Sequence, residues 1–533
     1  MTVKSQISYR DLKAFPELFA AYCSDYQRLG EYYAGDPYET SSLDAAIERT
    51  LQVPRDRTTL VEVLRTQNKE WGADEQALSR IEDLLSPDAS VVVTGQQLGL
   101  FGGPLYTQYK TITTIQLAAT LQKRTSRPVV PVFWLAGEDH DFDEISSVYA
   151  SPEHEVRLQN TSGSNGPVGR IILDEQVGDL IDNLQEIFHG GESADDVVAV
   201  LRDTFKAGVT WRDAFAKFMT WMFRGTGLVI ISGDDPHLKA LATPLFEKAV
   251  RSFESLNKGI EATSEKLAEQ FHAQLTPRST NLFFLNSERV AVDPVGERFK
   301  AGSQDWSSSE ILNEIKNTPQ HFSPNVVLRP LFQDTVLPTV AYVAGPGETS
   351  YFGQLKTAYE WAGIPMPIIY PRASVTIVEN HVARLLEKES IRIEEIDTDV
   401  ERMFTSVVRK SMRSDIDDIF LPTRELLNQE IRRLSDKIAE LDPTLEKSTL
   451  AIGSSIEKEL GKLQGKVVRA EKQRHEVTRN RLGKIIDNIY PGSSQQERTV
   501  AAAYFISRYG TGFINSLLDI LPVETDKHIV VAL

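Results

Sequence analysis

Two short segments of this sequence hold an unusual concentration of side chains that can bind a ligand or move a proton. The segment from Thr94 to Thr107 combines glycines with two glutamines, a tyrosine and hydroxyl groups. The segment from Glu138 to Glu144 places five carboxylates and one imidazole within seven residues. Ionisable groups this close together shift one another's pKa values, and such crowding is more common at functional sites. We therefore expect both segments to belong to an active site.

Each segment directly follows a run of residues typical of a buried β-strand. Val91–Val93 precedes the glycine-containing segment, and Val129–Trp134 precedes the acidic one. Ligands of open parallel sheets bind beyond the carboxyl ends of the strands. The two segments are therefore expected to face one cleft.

The glycine-containing segment matches neither the phosphate-loop pattern nor the dinucleotide-binding pattern Gly-x-Gly-x-x-Gly. Its glycines would allow a ligand close to the backbone, and the helix expected from about Thr107 to Lys123 would direct its positive end toward the loop. Gln96 and Gln97 can both donate and accept hydrogen bonds, as a sugar requires. The alternative is a tight strand-to-helix turn that needs several glycines.

The acidic segment suggests acid–base chemistry. His140 lies between Asp139 and Asp141 and could act as an oriented general base. A calcium loop is excluded because its sixth position would be Glu144 instead of glycine and its twelfth Ala150 instead of glutamate. The alternative is a helix whose acidic first turn complements the helix dipole.

Three further strand ends carry polar residues. Thr339–Val343 leads to Gly345-Pro-Gly-Glu348, where the alternative is a turn with a helix-capping acid. Asp234 follows the strand Leu228–Ser232. Arg372 follows Ile368–Tyr370 and could hold a carboxylate, or it could only pair with nearby acids.

Composition limits the class of protein. The 533 residues predict two to four domains, and strands interleaved with helices predict an α/β fold with a mainly parallel sheet. The net charge of −17 argues against general nucleic-acid binding. With no run of 18 apolar residues, a polar start and the single cysteine Cys23, we expect a soluble cytoplasmic protein without a membrane span or a cysteine-rich metal site. No metal is predicted.

The sequence divides into four predicted regions. Residues 1–85 form an N-terminal helical segment, and 86–374 form the catalytic core with an insertion at about 150–225 that contains glycine and serine runs such as 162–167. A helical coiled-coil arm spans 375–489, and 490–533 form a helical tail.

The arm is predicted from two apolar series with heptad-like spacing. They are Leu427, Ile431, Leu434, Ile438, Leu441 and Leu445, followed by Ile456, Leu460, Leu463, Val467 and Ala470. Asp442-Pro443 between them is a typical helix start, which predicts a helical hairpin. Each series would form the apolar seam of a helix. Spacing alone leaves open whether these seams pack against each other within one chain or against a second chain.

The motifs together strongly resemble the BshC family, assigned as the cysteine ligase of bacillithiol biosynthesis. The resemblance rests on Thr94-Gly-Gln-Gln97, Gly103-Pro-Leu-Tyr-Thr107, Pro131–Glu144, Gly345-Pro-Gly-Glu348 and Tyr370-Pro-Arg372, and extends to Asp442–Lys447, Arg469–Lys472 and Gln496–Arg498. It implies a Rossmann-like parallel-sheet core with inserted connecting segments and a C-terminal α-helical coiled-coil domain that forms a homodimer. The implied reaction joins L-cysteine to glucosaminyl-malate, and ADP or ATP is implied near the coiled-coil domain.

These arguments give three sets of candidate residues. The catalytic candidates are Asp139, His140, Asp141 and Glu348. The substrate-binding candidates are Thr94, Gly95, Gln96, Gln97, Gly103, Tyr106, Thr107, Asp143, Asp234, Gly347, Tyr351 and Arg372. The nucleotide-binding candidates are Tyr490, Gln496 and Arg498.

Some features do not fit a class I synthetase mechanism. The sequence has no His-Ile-Gly-His signature, and the segment Lys410–Ser414 resembles its lysine loop only by coincidence. Two other functions therefore remain open: a sugar- or nucleotide-transferase that uses the same cleft without cysteine, and a coiled-coil scaffold without turnover.

Overall fold

The computed structural model describes residues 1–159, 166–286, 288–411 and 416–533. Residues 162–165 of the predicted insertion and Met412–Ser414 of the lysine-loop-like segment lie outside the described residues. The chain forms two compact units, one built from 1–378 with 494–533 and the other from 379–493.

The strands, in chain order, are β1 Thr2–Ser8, β2 Ser90–Gln96, β3 Val129–Leu135, β4 Ser147–Ser151, β5 His154–Arg157, β6 Val229–Ser232, β7 Leu282–Leu285, β8 Arg289–Ala291, β9 Asp293–Val295, β10 Arg298–Ala301, β11 Gln304–Ser307, β12 Phe322–Pro324, β13 Thr339–Ala344, β14 Ile368–Pro371, β15 Ser374–Val378 and β16 Lys527–Ala532.

The α-helices are α1 Glu17–Ser24, α2 Thr40–Leu51, α3 Arg57–Glu70, α4 Glu75–Asp83, α5 Leu105–Thr125, α6 Phe142–Ile145, α7 Gln176–Ile187, α8 Ala194–Thr204, α9 Trp211–Met222, α10 Pro236–Leu241, α11 Thr243–Ala268, α12 Ser308–Asn317, α13 Leu328–Val336, α14 Pro346–Phe352, α15 Lys356–Ala362, α16 Asn380–Glu389, α17 Val400–Ser411, α18 Ile416–Leu441, α19 Glu446–Ile489, α20 Gln496–Thr499, α21 Ala502–Tyr509 and α22 Phe513–Ile520.

A five-stranded parallel sheet forms the centre of the first unit. Its order is β14-β13-β2-β3-β6, and each neighbouring pair is parallel. The apolar runs predicted as strands are buried on both faces, which explains why they lack the alternation of a half-exposed strand. The predicted α/β class and Rossmann-like parallel sheet are confirmed.

The connection from β2 to α5 explains part of the glycine content of the first segment. Gly102 and Gly103 have φ values of 88° and 71°, which side chains rarely adopt. A Cβ at Gly102 would also approach the Phe218 ring to 2.9 Å. The turn requirement proposed as the alternative is therefore real at these positions, and the loop also lines a cavity described below.

The ends of the chain meet in a second sheet within the first unit. β1 pairs antiparallel with β16, and β16 pairs parallel with β15. The region 1–85, predicted as helical, thus begins with a strand, because β16 offers it an edge that no local pattern indicates. The region 490–533, predicted as a helical tail, contributes 494–533 to the first unit and ends in β16.

The second unit contains the helical hairpin expected from the sequence. The Asp442 carboxylate accepts a hydrogen bond from the Thr444 backbone N–H at the start of the turn between α18 and α19. Ile431 packs so closely on Gly453 that a Cβ there would lie 2.6 Å from it. The two predicted apolar series are only partly buried within the hairpin. Ile431 packs against α19, whereas Leu434, Leu441 and Leu463 remain at least half exposed.

Candidate active site

A cavity of about 780 Å³ lies at the carboxyl edge of the central sheet, within the first unit. Its polar lining comes from the loops after β2, β3 and β13, together with the β7–β8 hairpin and α13. The charged lining residues are Lys110, Asp139, His140, Glu144, Arg278, Arg289, Arg329, Glu348, Arg372 and Arg498. Both segments singled out in the sequence thus reach one cleft.

A buried lysine organises the glycine-containing loop. Lys110 lies on α5, and its ammonium group donates to the Gly95 carbonyl at 2.8 Å and to Gln96 Oε1 at 2.9 Å. The Gln96 amide in turn donates to the Tyr106 hydroxyl at 2.9 Å. Burial lowers the pKa of Lys110, against the opposing effect of Glu348. The loop is therefore held in place by charge-assisted hydrogen bonds.

Glu348 caps a helix and also faces the cavity. One of its oxygens accepts from the Gly345 backbone N–H at 2.7 Å and forms an ion pair with Lys110. Its other oxygen accepts from the Tyr342 hydroxyl at 2.9 Å. Glu348 is therefore both the helix-capping acid of the alternative interpretation and a residue of the cleft.

Asp139 lies among cations. Its carboxylate is 3.5 Å from Arg329 Nη2 and 3.6 Å from Arg289 Nη1, and it accepts from the His140 backbone N–H at 3.0 Å. Burial would raise the pKa of Asp139, but Arg329 and Arg289 hold it below its ordinary value. Asp139 is therefore held as a carboxylate.

The His140 ring contacts an arginine that comes from a distant hairpin. Its Nδ1 lies 3.2 Å from Arg289 Nη1 and 3.5 Å from Asp139 Oδ1. The Arg289 guanidinium stacks on Phe283, 3.8 Å from the ring centroid, and donates to the Pro324 carbonyl at 3.1 Å. These contacts fix the cation that faces His140.

Two further acids of the second segment have different roles: Asp141 caps a helix, and Glu144 lines the cavity. Asp141 caps α6 by accepting from the Glu144 backbone N–H at 3.1 Å, so the helix alternative applies there. Glu144 lines the cavity, and its Oε2 accepts from the Gln97 amide at 2.6 Å. The same amide nitrogen lies 3.4 Å from Asp139 Oδ2. Gln97 thus connects the two acids.

Arg372 pairs with a nearby acid, as one of the two expectations for it states, and it also reaches the cavity. It lines the cavity, and its Nη2 donates to Glu497 at 2.6 Å while its Nη1 donates to the Ala373 carbonyl at 2.7 Å. Its Nε–H has no hydrogen-bond partner among the described residues. Its guanidinium lies 5.7 Å from the centroid of the Tyr106 ring, and Arg498 lies 6.0 Å from the same centroid.

Most candidate residues predicted from the sequence reach the cavity. Those that line it are Gly95, Gln96, Gln97, Tyr106, Asp139, His140, Gly347, Glu348, Tyr351, Arg372 and Arg498. Those that do not are Thr94, Gly103, Thr107, Asp141, Asp143, Asp234, Tyr490 and Gln496.

The second group has other surroundings. The Thr94 hydroxyl is buried and donates to the Val343 carbonyl at 2.9 Å, which links two strands. Asp234 accepts two hydrogen bonds of 2.7 Å from Arg170. Gln496 exchanges two hydrogen bonds with the Ile377 backbone. Gly103 and Thr107 belong to the turn before α5 and the start of that helix, Asp143 is exposed, and Tyr490 belongs to the second unit.

Several charged residues of the site were not predicted. Lys110 could have been found, because it lies one helical turn after Tyr106 and therefore on the same face. Arg278, Arg289 and Arg329 come from segments with no local signal. Together with Lys110, Arg372 and Arg498, these three arginines give the cavity six cationic side chains against three carboxylates. The cavity is thus cationic although the whole chain carries a net charge of −17. The cleft therefore favours an anionic ligand.

The described part of the chain offers no group of three or more histidine, cysteine, aspartate or glutamate side chains arranged to hold a metal ion. Among the same residues, no helix is both long and apolar enough to cross a membrane.

A polar cleft at the carboxyl edge of a Rossmann-like parallel sheet is typical of α/β enzymes, which bind their ligands beyond the carboxyl ends of the strands. Two family models match the chain: "Bacillithiol biosynthesis BshC, N-terminal Rossmann-like domain" over residues 2–373, and "Bacillithiol biosynthesis BshC, C-terminal coiled-coil domain" over 375–533. The chain belongs to the BshC family.

Curated relatives support this assignment. A protein of Salinibacter ruber is 40% identical over 98% of this chain and 97% of its own length, and one of Chloroherpeton thalassium is 33% identical over the same shares. Both are named "Putative cysteine ligase BshC". A crystal structure of a "putative arginyl t-RNA synthetase" from Campylobacter jejuni aligns with 87% of this chain and 98% of its own, at 12% identity and a TM-score of 0.23, which supports no statement about fold.

Proposed function

We propose that this protein joins the carboxyl group of L-cysteine to the amino group of glucosaminyl-malate, forming the amide of bacillithiol in the last step of its biosynthesis. The observation that carries this proposal is the match to relatives named as cysteine ligases over nearly the whole chain. Amide synthesis from these substrates requires a site for a sugar, a site for carboxylates and a proton acceptor for the amine.

The contents of the cavity support each requirement. Gln96 and Gln97 offer amides suited to a sugar. The cationic excess suits the carboxylates of malate, because guanidinium groups bind carboxylates well. Carboxylates that could accept a proton line the same cavity as His140.

A nucleotide and a second subunit belong to the same proposal. ADP or ATP is proposed as a further ligand, and Arg498 is the nucleotide-binding candidate that lines the cavity. A homodimer would form through the helical arm, and the cytoplasm would be the site of action.

The decisive experiment measures thiols by mass spectrometry in cells that lack this protein and in cells to which it is restored. We expect the deletion to accumulate glucosaminyl-malate and to lack bacillithiol, and the restored gene to reverse both. Normal bacillithiol in a strain without a second copy would refute the proposal.

Thermal shifts of the purified protein with glucosaminyl-malate, cysteine, ATP and a nucleotide sugar complement this test. Stabilisation by the nucleotide sugar alone would favour a transferase, and no stabilisation by any of the four would favour a scaffold.

A further inference from the structure

Glu144 differs from the other carboxylates that line the cavity. Its Oε2 accepts a hydrogen bond of 2.6 Å from the Gln97 amide, whereas its Oε1 makes no hydrogen bond within the described part of the chain. The side chain is exposed toward the cavity. One oxygen is therefore fixed and the other can accept a proton from a ligand.

The other two carboxylates of the cavity are committed to protein groups. Glu348 uses one oxygen for the Tyr342 hydroxyl and the other for the Gly345 backbone and Lys110. Asp139 accepts from the His140 backbone N–H and lies near Arg329 and Arg289. Protonation of either carboxylate would disrupt existing charge-assisted contacts.

The charges around Glu144 also favour proton uptake there. Partial desolvation raises its pKa, and the neighbouring Asp141 and Asp139 raise it further, against the effects of the Gln97 hydrogen bond and Arg329. The pKa of Asp139 is shifted in the opposite direction. Tyr106, whose pKa is raised to about 12, also faces this group and stays protonated at neutral pH. The two carboxylates that the Gln97 amide links therefore differ: the pKa of Glu144 is raised, whereas that of Asp139 is lowered.

The contact between His140 and Arg289 determines which ring nitrogen of the histidine carries a proton. A guanidinium can only donate, so the 3.2 Å contact of Nδ1 with Arg289 Nη1, which is shorter than its 3.5 Å separation from Asp139 Oδ1, favours Nδ1 as the acceptor. A neutral imidazole that accepts at Nδ1 carries its hydrogen on Nε2. Nε2 is then a hydrogen-bond donor and cannot serve as the base that the sequence suggested.

We propose that Glu144 accepts the proton of the attacking amine and that His140 donates a hydrogen bond from Nε2 to the carbonyl oxygen under attack. This inference rests on the proposed function. The amine nitrogen forms a bond to the carbonyl carbon of an activated cysteine, a mixed anhydride of its carboxyl group with a phosphate group from a nucleoside triphosphate. The phosphate leaves with the electron pair of the broken C–O bond. Glu144 takes the amine proton, and the product is a neutral amide.

The test compares pH profiles of kcat for the full-length protein and its variants, with L-cysteine, glucosaminyl-malate and ATP as substrates and product detected by mass. Glu144→Gln keeps an oxygen for the Gln97 hydrogen bond but cannot take a proton. We expect its kcat to fall about 100-fold or more, with KM changed by less than about threefold and the acidic limb of the profile lost. Glu153→Gln, an exposed position outside the cavity, should match the wild type.

A pair of variants tests His140. His140→Gln places a donor near the position of Nε2, so it should retain kcat within about tenfold and keep the acidic limb, whereas His140→Ala should lose about 100-fold or more. Thermal unfolding establishes that each variant is folded.

Three results would overturn the inference. The first is a Glu144→Gln enzyme with wild-type kcat or with only a raised KM. The second is a His140→Gln enzyme as inactive as His140→Ala and lacking the acidic limb, since His140 would then be the base. The third is absence of product from the wild type, which would remove the proposed function as well and is visible before any variant is made.

Discussion

Arg372 and Glu497, 125 residues apart in the sequence, form an ion pair of 2.6 Å in which both side chains are at most 2% exposed. The second Glu497 oxygen accepts from the Ser374 hydroxyl and the Val375 backbone N–H, each at 2.9 Å. Burial alone would raise the pKa of Glu497, but Arg372 holds it below its ordinary value. The pair therefore connects α20, which holds Glu497, to Arg372 in the lining of the cavity.

Replacing Glu497 with alanine should destabilise the protein by about 3–5 kcal/mol, because it leaves the Arg372 charge buried without its partner. The measurement is the thermal unfolding midpoint of the variant against the wild type. Glu524→Ala, at an exposed position in the same tail, is the control and should have little effect. An unchanged midpoint for Glu497→Ala would show that this pair does not stabilise the fold.

Replacing Lys110 with methionine should lower the rate of product formation by about 100-fold. The ammonium group positions both Gln96 and the acid Glu348, and its loss leaves the Gly95 carbonyl without this donor. A stability loss of about 1–3 kcal/mol should accompany it. Steady-state kinetics and thermal unfolding measure the two effects, and Lys123→Met, exposed on the same helix α5, serves as the control. Wild-type kinetics for the Lys110 variant would exclude this positioning role.

The protein should form a homodimer through the exposed apolar face of its helical hairpin, because Leu434 and Leu463 are each about half exposed although both belong to predicted seams. Light scattering on the wild type should give twice the chain mass of 59.7 kDa. The double variant Leu434→Asp with Leu463→Asp should become monomeric while it keeps its helical circular dichroism. Ile431→Asp, by contrast, should disrupt the hairpin itself, since Ile431 packs on Gly453. A wild-type mass near 59.7 kDa at micromolar concentration would contradict the dimer.

Stability should decrease as the pH falls from 7 to 5, partly because of His528. Burial lowers the pKa of His528 to about 4, against the opposing effect of Glu497, while the unfolded chain retains a value near 6.5. The unfolded state therefore binds more protons between these two values, so the stability contributed by the neutral ring is complete above about pH 6.5 and is lost as the pH falls toward 4. At pH 5 the loss is about 2 kcal/mol.

The variant His528→Gln tests this effect, because it removes the titrating group that lies between Ser374 and Thr376. Its unfolding midpoint should vary less with pH than that of the wild type between pH 5 and 7. His272→Gln, at an exposed position, should keep the wild-type slope. Equal slopes for the His528 variant and the wild type would contradict the assignment.

The sequence was sufficient to predict the parallel sheet and the positions where its loops carry chemistry. Val91–Val93 and Val129–Trp134 are short apolar runs ending in polar residues, and a pattern of this kind is local. The helical hairpin was recognisable because heptad spacing and the Asp442-Pro443 turn are local features as well.

The tertiary structure decided which of the polar residues meet. Asp141 is as close in sequence to His140 as Asp139 is, and Asp143 is only three residues away. Of these three acids, only Asp139 lines the cavity with His140, because the chain turns into α6 at Asp141. The sequence alone determined the strands of the central sheet, the loop chemistry and the family resemblance, because these depend on patterns of neighbouring residues. Only the folded chain brought Arg289 to His140 and Glu497 to Arg372. Contacts between residues more than a hundred positions apart depend on how the whole chain packs, and no local pattern encodes them.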